Sequence, residues 1–335
     1  MTAVNAPYRG CFAAVLLSVG CAPAPGDPTL APPSWTSLPA AADPAPRELE
    51  LPPAPPSSRR PLSWLHHTCR DRRFPTLAGP WAVGCGPGGR VDRAVQLETG
   101  LRVELGAAAD SAAAGPGWVF APGADHGWWA LPSPTPRSPW PAHADPIGQP
   151  VTDGRHAALS LEGHIAAFEL GESHTLSRDA DPTPWFPPAL AWPTVYWVDS
   201  RDQAVSGLDI WAWDTTGSPP FPLVTGTGDQ RHVAASKERL VWIDEQGVWF
   251  QDLSDGARWL HRSDAGFRAG PSVDGSVACW EQRKAGDVDV RCTDGLEATG
   301  AGDQGWPSRW GPWLMVRVDG TPWLITAQVA PMESP

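Results

Sequence analysis

Residues 188 to 230 read PALAWPTVYWVDSRDQAVSGLDIWAWDTTGSPPFPLVTGTGDQ, and their parsing decides the fold. Four short strands are spelled out: Pro188 to Ala191, Thr194 to Asp199, Leu208 to Asp214 and Phe221 to Thr225. The middle two alternate apolar and polar positions around Tyr196, Trp197, Ile210, Trp211 and Trp213, as aromatic and β-branched strands do when a face is buried. A polar hairpin, Arg201 to Gly207, and the turn Thr215-Thr216-Gly217 separate them. Four antiparallel strands of this length form one blade of a β-propeller.

Working outward, the other segments are weaker copies of that unit. Each copy ends in a short strand followed by an aspartate: Asp71, Asp110, Asp145, Asp181, Asp229, Asp264 and Asp303. Neighbouring marks lie 35 to 39 residues apart, except for 48 across the blade with the long hairpin. A period in that range implies a propeller or solenoid, because one unit cannot bury its own apolar faces. The expectation is an all-β propeller of about seven four-stranded blades. The proline-rich stretch Pro132 to Asp145 leaves six blades plus an irregular insert as the alternative. The stretch after Asp303 holds only three strands, so an N-terminal strand must complete the last blade. Ser63-Trp64-Leu65-His66, similar to Arg258-Trp259-Leu260-His261, is the expected closing strand.

Val195 to Asp199, Asp209 to Trp211, Asp214, Gly217, Asp229 and Gln230 together resemble the repeat of TolB-like β-propellers. The Asp-x-x-Gly turn is shared with quinoprotein-type propellers. The resemblance implies the fold and leaves the function open.

The front of the chain carries export features. Arg9, the apolar run Phe12 to Val19 and Leu17-Ser18-Val19-Gly20-Cys21 resemble a bacterial lipoprotein signal, with Cys21 as the lipidated residue. Pro23 and Pro25 crowd the alternative Ala-x-Ala cleavage site, and the run falls well short of the ~20 apolar residues that span a bilayer. Residues 21–60 follow as a Pro/Ala-rich linker, expected to be a disordered, semi-rigid spacer. The domain plan is therefore a signal peptide over 1–20, the linker over 21–60, the propeller over 61–329 and a tail over 330–335.

The formal net charge of −12 argues against nucleic acid, since no basic stripe is present to displace phosphate counterions. Once Cys11 goes with the signal and Cys21 with lipid, Cys69, Cys85, Cys279 and Cys292 remain. Four cysteines in an exported chain favour two disulfides, Cys69 with Cys85 and Cys279 with Cys292. Zinc is the competing reading, but no CxxC or Cys-x-x-His spacing occurs. Gly84 to Gly89 fits GxGxxG formally, yet it joins two antiparallel strands and reads as a hairpin turn rather than a dinucleotide loop. No HExxH, P-loop or GxSxG pattern appears, and no cofactor or metal is expected.

The candidate ligand-binding set at the channel mouth is Asp110, Asp145, Asp229, Gln230, Asp264, Asp303 and Gln304. Such a ring of carboxylates could hold a cation or a basic peptide. The competing reading is that each aspartate caps its own turn. Tryptophans near loops, Trp128, Trp129, Trp140, Trp185 and Trp306, could stack on sugars or anchor a partner. The expected function is a monomeric, non-enzymatic, lipid-anchored binding or scaffold module of the cell envelope, for a protein or a glycan. The alternative is a propeller lyase or hydrolase using carboxylates at the mouth.

Overall fold

The computed structural model describes residues 46–65, 69, 75–109, 112–120, 127–133, 136–139, 149–169, 175–262, 270–284 and 287–327. Every regular element among them is a β-strand. The strands form seven sheets, each containing the four strands of one blade; in six of them the strands run in sequence order from the axis outward, and the seventh takes its outermost strand from the front of the domain. In blade 4 the strands are Ala189–Ala191, Thr194–Asp199, Asp209–Asp214 and Phe221–Val224, close to the boundaries read from sequence. Their antiparallel register sets Trp197 opposite Trp211 and Asp199 opposite Asp209.

Alternation explains why these strands need neighbours. Val195, Trp197 and Trp213 point into a cluster with Ala158 and Ile165 of blade 3, whereas Tyr196, Val198 and Ile210 pack with Val233, Leu240 and Trp242 of blade 5. Both faces of the blade are thus buried, and each fully buried large side chain contributes about 1.5–3 kcal/mol. Trp129, Trp197, Trp213, Trp242 and Trp280 are all in this class. Trp129 therefore joins the core and leaves the set of loop tryptophans.

Blade 2 is complete. Strand Pro136–Pro139 pairs with Gly127–Ala130 across a register irregularity, so the seven-bladed reading holds and the six-bladed alternative is set aside. Pro136 and Pro139 sit on the outermost strand, where a missing N–H costs no ladder bond on the open side. The glycine-rich Gly86 to Arg90 is a turn between Trp81–Cys85 and Val91–Gln96, as expected of a hairpin. Both disulfides are present, Cys69–Cys85 and Cys279–Cys292, the latter joining directly opposed positions with Cα atoms 4.0 Å apart.

Ring closure follows the expected principle at a different place. Strand Ser57–Pro61 is the outer strand of blade 7, antiparallel to Thr321–Ala327, with Ser57 opposite Ala327 and Pro61 opposite Trp323. Ser63–Leu65 is not part of that strand: Leu62 and Leu65 turn inward to the seam between blades 7 and 1, and Trp64 lies beneath Arg93, 5.1 Å from the ring centroid, while His66 lies outside the described residues. The reason is register. Ser57–Pro61 presents four unbroken donors before its proline, and Arg60 reaches across to the carbonyl of Leu97, 2.6 Å away.

The linker boundary needs the same correction, because the compact unit begins at Pro46. Arg47–Glu48 adds a parallel strand to the outer edge of blade 5 beside Trp259 and Leu260, and Leu49 N donates to Leu260 O at 3.1 Å. Leu49 and Leu51 pack onto the cluster between blades 5 and 6. Pro52 and Pro53 then press on Gly295, where a Cβ would meet Pro53 O at 2.7 Å and φ is +83°. Arg59 donates to Thr299 O at 3.0 Å. Proline content pointed to a free spacer, but on an outer edge proline sacrifices no pairing.

Candidate functional site

The seven inner strands surround a central cavity of about 700 Å³ to which every blade contributes. Close approach is built into it: a Cβ on Gly115 would lie 2.5 Å from Gly154 N, so blades 2 and 3 require glycine there. Side chains stitch neighbouring inner strands together. Ser308 Oγ lies 2.9 Å from Thr76 Oγ1 and accepts from Leu77 N at 2.8 Å, joining blade 7 to blade 1. Arg309 N donates to Ser272 Oγ, and Ser236 Oγ donates to Gly275 O. Such bonds hold the wall in one shape.

The cavity lies toward the turns that leave the inner strands, which include Asp153, Trp192, Lys237, Glu238, Asp274 and Trp310. Trp192 stacks on His156 with ring centroids 4.0 Å apart and planes 3° from parallel. His156 Nδ1 is 2.9 Å from Asp153 Oδ2, while Asp153 Oδ1 accepts from the backbone N–H groups of Arg155 and His156. Asp274 Oδ2 accepts from Gly311 N at 2.7 Å. These carboxylates act as turn caps, whereas Lys237 and Glu238 are exposed. The rim thus offers an aromatic platform next to charges of both signs.

Of the residues singled out from sequence, the four that are described, Asp229, Gln230, Asp303 and Gln304, lie at the other end, where the chain enters the inner strands. Asp229 and Gln230 precede the inner strand of blade 5, Arg231–Ala235, whereas Asp303 precedes and Gln304 opens that of blade 7, Gln304–Trp310. Asp229 Oδ2 pairs with Arg231 at 2.5 Å and Oδ1 accepts from Leu208 N at 3.1 Å. The Arg231 guanidinium holds its carboxyl below the usual carboxylate range, opposed by slight burial. Gln230 and Gln304 are buried, with their Nε2 groups turned onto carbonyls of their own loops. Asp303 N donates to Asp319 Oδ1. Asp229 thus caps the hairpin of blade 4 rather than its own turn, and the structure brings none of these four to the wall of the central cavity. Asp110, Asp145, Asp264 and Cys21 lie outside the described residues.

Sequence reasoning missed the rim at Trp192, Lys237 and Glu238, although Trp192-Pro193 stood at a turn in the stretch quoted first. It also missed Asp199, whose side chain is fully buried. Asp199 accepts from Trp197 Nε1, from Arg201 Nε and Nη2 and from Asp181 N, all within 3.0 Å. Burial pushes its carboxyl up, but Arg201 and the N–H donors outweigh that and hold it low. Arg201 in turn lies 3.7 Å over the Trp211 ring. Of the loop tryptophans, Trp185 is 81% exposed. Among the described residues, no three His, Cys, Asp or Glu side chains gather closely enough to hold a metal ion.

No protein-family model and no curated protein matches the sequence. Solved structures do resemble the fold. An oligogalacturonate lyase in complex with manganese aligns over 81% of this chain and 90% of its own at 12% identity, TM-score 0.53. The β-propeller domain of the Trilobed protease from Pyrococcus furiosus aligns over 72% and 86% at 10% identity, TM-score 0.52. TolB from Acinetobacter baumannii aligns over 77% and 86% at 11% identity, TM-score 0.41. At these identities the likeness establishes the β-propeller architecture alone.

Proposed function

We propose that this chain is a lipid-anchored β-propeller of the bacterial cell envelope and a non-enzymatic binding module, taking a protein segment or an envelope polymer at the open end of its central cavity. The observation that carries this reading is the cavity, about 700 Å³ and walled by all seven blades, with Trp192 and Trp310 at its rim. A cavity of that size, apolar in large part with a few placed polar groups, suits a ligand of several residues or sugar rings. The nearby carboxylates of Asp153 and Asp274 are occupied by backbone donors, which fits a binding wall better than proton transfer. Two disulfides point to an oxidising compartment. The signal-like N-terminus ending at Cys21 supplies the anchor in this reading. The alternative, a lyase or hydrolase, would draw on the His156–Asp153 pair beneath Trp192.

A photo-reactive side chain at Lys237, compared in cells with one at the exposed Gln246, on the turn at the opposite end of the same blade, tests the binding reading. The expected result is a reproducible adduct from position 237 alone, lost when Trp192→Ala is added. Equal adducts at both positions, or none, overturn it. Shortening of an envelope glycan by the purified protein, abolished by His156→Gln, would favour the enzyme instead. Cys21→Ala should move the protein from the membrane to the soluble fraction, and unchanged fractionation would remove the anchor.

A further inference from the structure

Each blade passes from its inner strand to the next through a two-residue turn at the open end of the central cavity. The pairs Ala78 with Trp81, Gly115 with Trp118, Ala191 with Thr194, Asp274 with Val277 and Trp310 with Trp313 enclose five of these turns. The bonds from Asp153 N to His156 O and from Ser236 N to Arg239 O enclose the other two. Five of the seven turns carry a glycine at positive φ, namely Gly79, Gly117, Gly154, Gly275 and Gly311, as tight connections between antiparallel strands favour. The two that break the pattern are Trp192-Pro193 in blade 4 and Lys237-Glu238 in blade 5, on adjacent blades, and both line the cavity. A turn that other copies close with glycine needs no indole, ammonium or carboxylate, so these side chains are additions to the scaffold.

The added indole is held in one plane. Its parallel stack on the imidazole of His156 crosses the seam from blade 4 to blade 3, and the imidazole is itself fixed by Asp153. Thr152 Oγ1 donates to His156 O at 2.6 Å, and Pro193 O accepts from Thr215 N at 3.0 Å and from Thr215 Oγ1 at 2.9 Å. Trp192 nevertheless stays partly exposed on the cavity wall. The neighbouring turn is fixed as well: Ser236 Oγ accepts from Glu238 N and Arg239 N and donates to Gly275 O. Lys237 and Glu238 project from that turn and are exposed. The rim therefore carries a rigid aromatic face next to one cation and one anion, an arrangement whose ordering cost is met before any ligand arrives.

We infer that Trp192, Lys237 and Glu238 form a subsite for a neutral, β-1,4-linked glycan, with one sugar ring stacked on the indole. This rests on the binding role proposed for the cavity and names the class of its ligand. A pyranose whose hydroxyls are equatorial offers both complements at once. Its C–H face is apolar and lies flat on an aromatic ring, while each hydroxyl at its edge donates and accepts, serving the Glu238 carboxylate and the Lys237 ammonium together. Equatorial linkages keep successive rings extended, so the chain enters the cavity end-on. A cationic segment is repelled by Lys237 and an anionic one by Glu238, whereas a neutral polyhydroxylated chain is repelled by neither.

Calorimetric titration of the full chain with chitohexaose and with cellohexaose tests it. Saturable binding of at least one is expected, about tenfold weaker with Trp192→Ala and largely kept with Trp192→Tyr, which retains a stacking face. The double variant Lys237→Ala/Glu238→Ala, which changes only exposed side chains, should fold normally and also bind about tenfold more weakly. Trp185→Ala, on the loop that enters the inner strand of blade 4, should bind as the unaltered chain does. Absence of saturable binding to both sugars, or undiminished binding by folded Trp192→Ala or by the double variant, overturns the proposal. So does an adduct at position 237 that protease removes and that contains no sugar, a result that leaves the binding role of the cavity standing and makes its occupant a polypeptide.

Discussion

Blade 4 and blade 7 reach the same four-stranded form by opposite routes. Blade 4 is one continuous stretch, tied to its neighbour by its own hairpin and by the buried Asp199 node. Blade 7 takes three strands from the end of the chain and the fourth from Ser57–Pro61, so its outer ladder is closed only by non-covalent pairing. Continuity lets a blade concentrate its stability in side-chain networks. Closure by a distant segment shifts the burden to backbone pairing and to whatever keeps that segment in place.

The largest expected effect comes from deleting residues 46–61, which exposes the ladder edge of Thr321–Ala327 and the seam at Leu324. A domain has about 5–15 kcal/mol of stability in total, so loss of the cooperative transition in urea, followed by tryptophan fluorescence, is expected. An unchanged midpoint would mean the ring does not depend on its closing strand. In blade 4, Asp199→Ala should cost roughly 3 kcal/mol, because it strands the Trp197 and Asp181 donors and a partly buried guanidinium. A loss below about 1 kcal/mol would show that Arg201 is satisfied by water.

A pH scan sharpens the comparison next. His232, at the seam of blades 4 and 5, packs edge-on to Phe186 at 4.6 Å, and burial, with Arg231 beside it, pushes its imidazole down to about 4. A folded-state value below the unfolded one stabilises the fold while the ring is neutral. That contribution is fully present above about pH 6.5 and is lost as the pH falls toward 4, on the order of 2 kcal/mol. The equivalent position in blade 7 is Trp306, which does not titrate. His232→Asn, tolerant of the left-handed backbone, should flatten stability between pH 6.5 and 4; an unchanged profile would assign the dependence to another group. The smallest effect is expected for deletion of residues 46–56 alone, about 1–2 kcal/mol from partial exposure of the surface under Leu49 and Leu51.

Much of this fold was legible because propeller strands announce themselves locally. Alternation fixed the faces of Thr194–Asp199, glycine and aspartate fixed its turns, and the antiparallel register that follows places Cys279 opposite Cys292. Closure was misplaced by several residues, since Ser63–His66 resembles an outer strand in composition and only pairing against Thr321–Ala327 distinguishes it from Ser57–Pro61. Prolines in 46–61 hid a docked segment, because composition cannot tell a free spacer from a chain on a sheet edge. The site was the least legible part. Aspartate spacing marks the loops entering the inner strands, but the cavity wall is shaped by close approaches between inner strands, such as those at Gly115 and Ser308, that no spacing announces. The twin Gly-Asp-Gln stretches at Gly228 to Gln230 and Gly302 to Gln304 were readable as copies.

The segment from Pro46 also has a mechanical side. Tension on the chain upstream of Pro46 reaches blade 5 first, where Arg47–Glu48 and Leu49 are seated, and only then the strand that closes the ring. The parallel contact on blade 5 works as a cable clamp does: it yields at a short, renewable contact and spares the seam at Ser57–Pro61, on which the integrity of all seven blades depends.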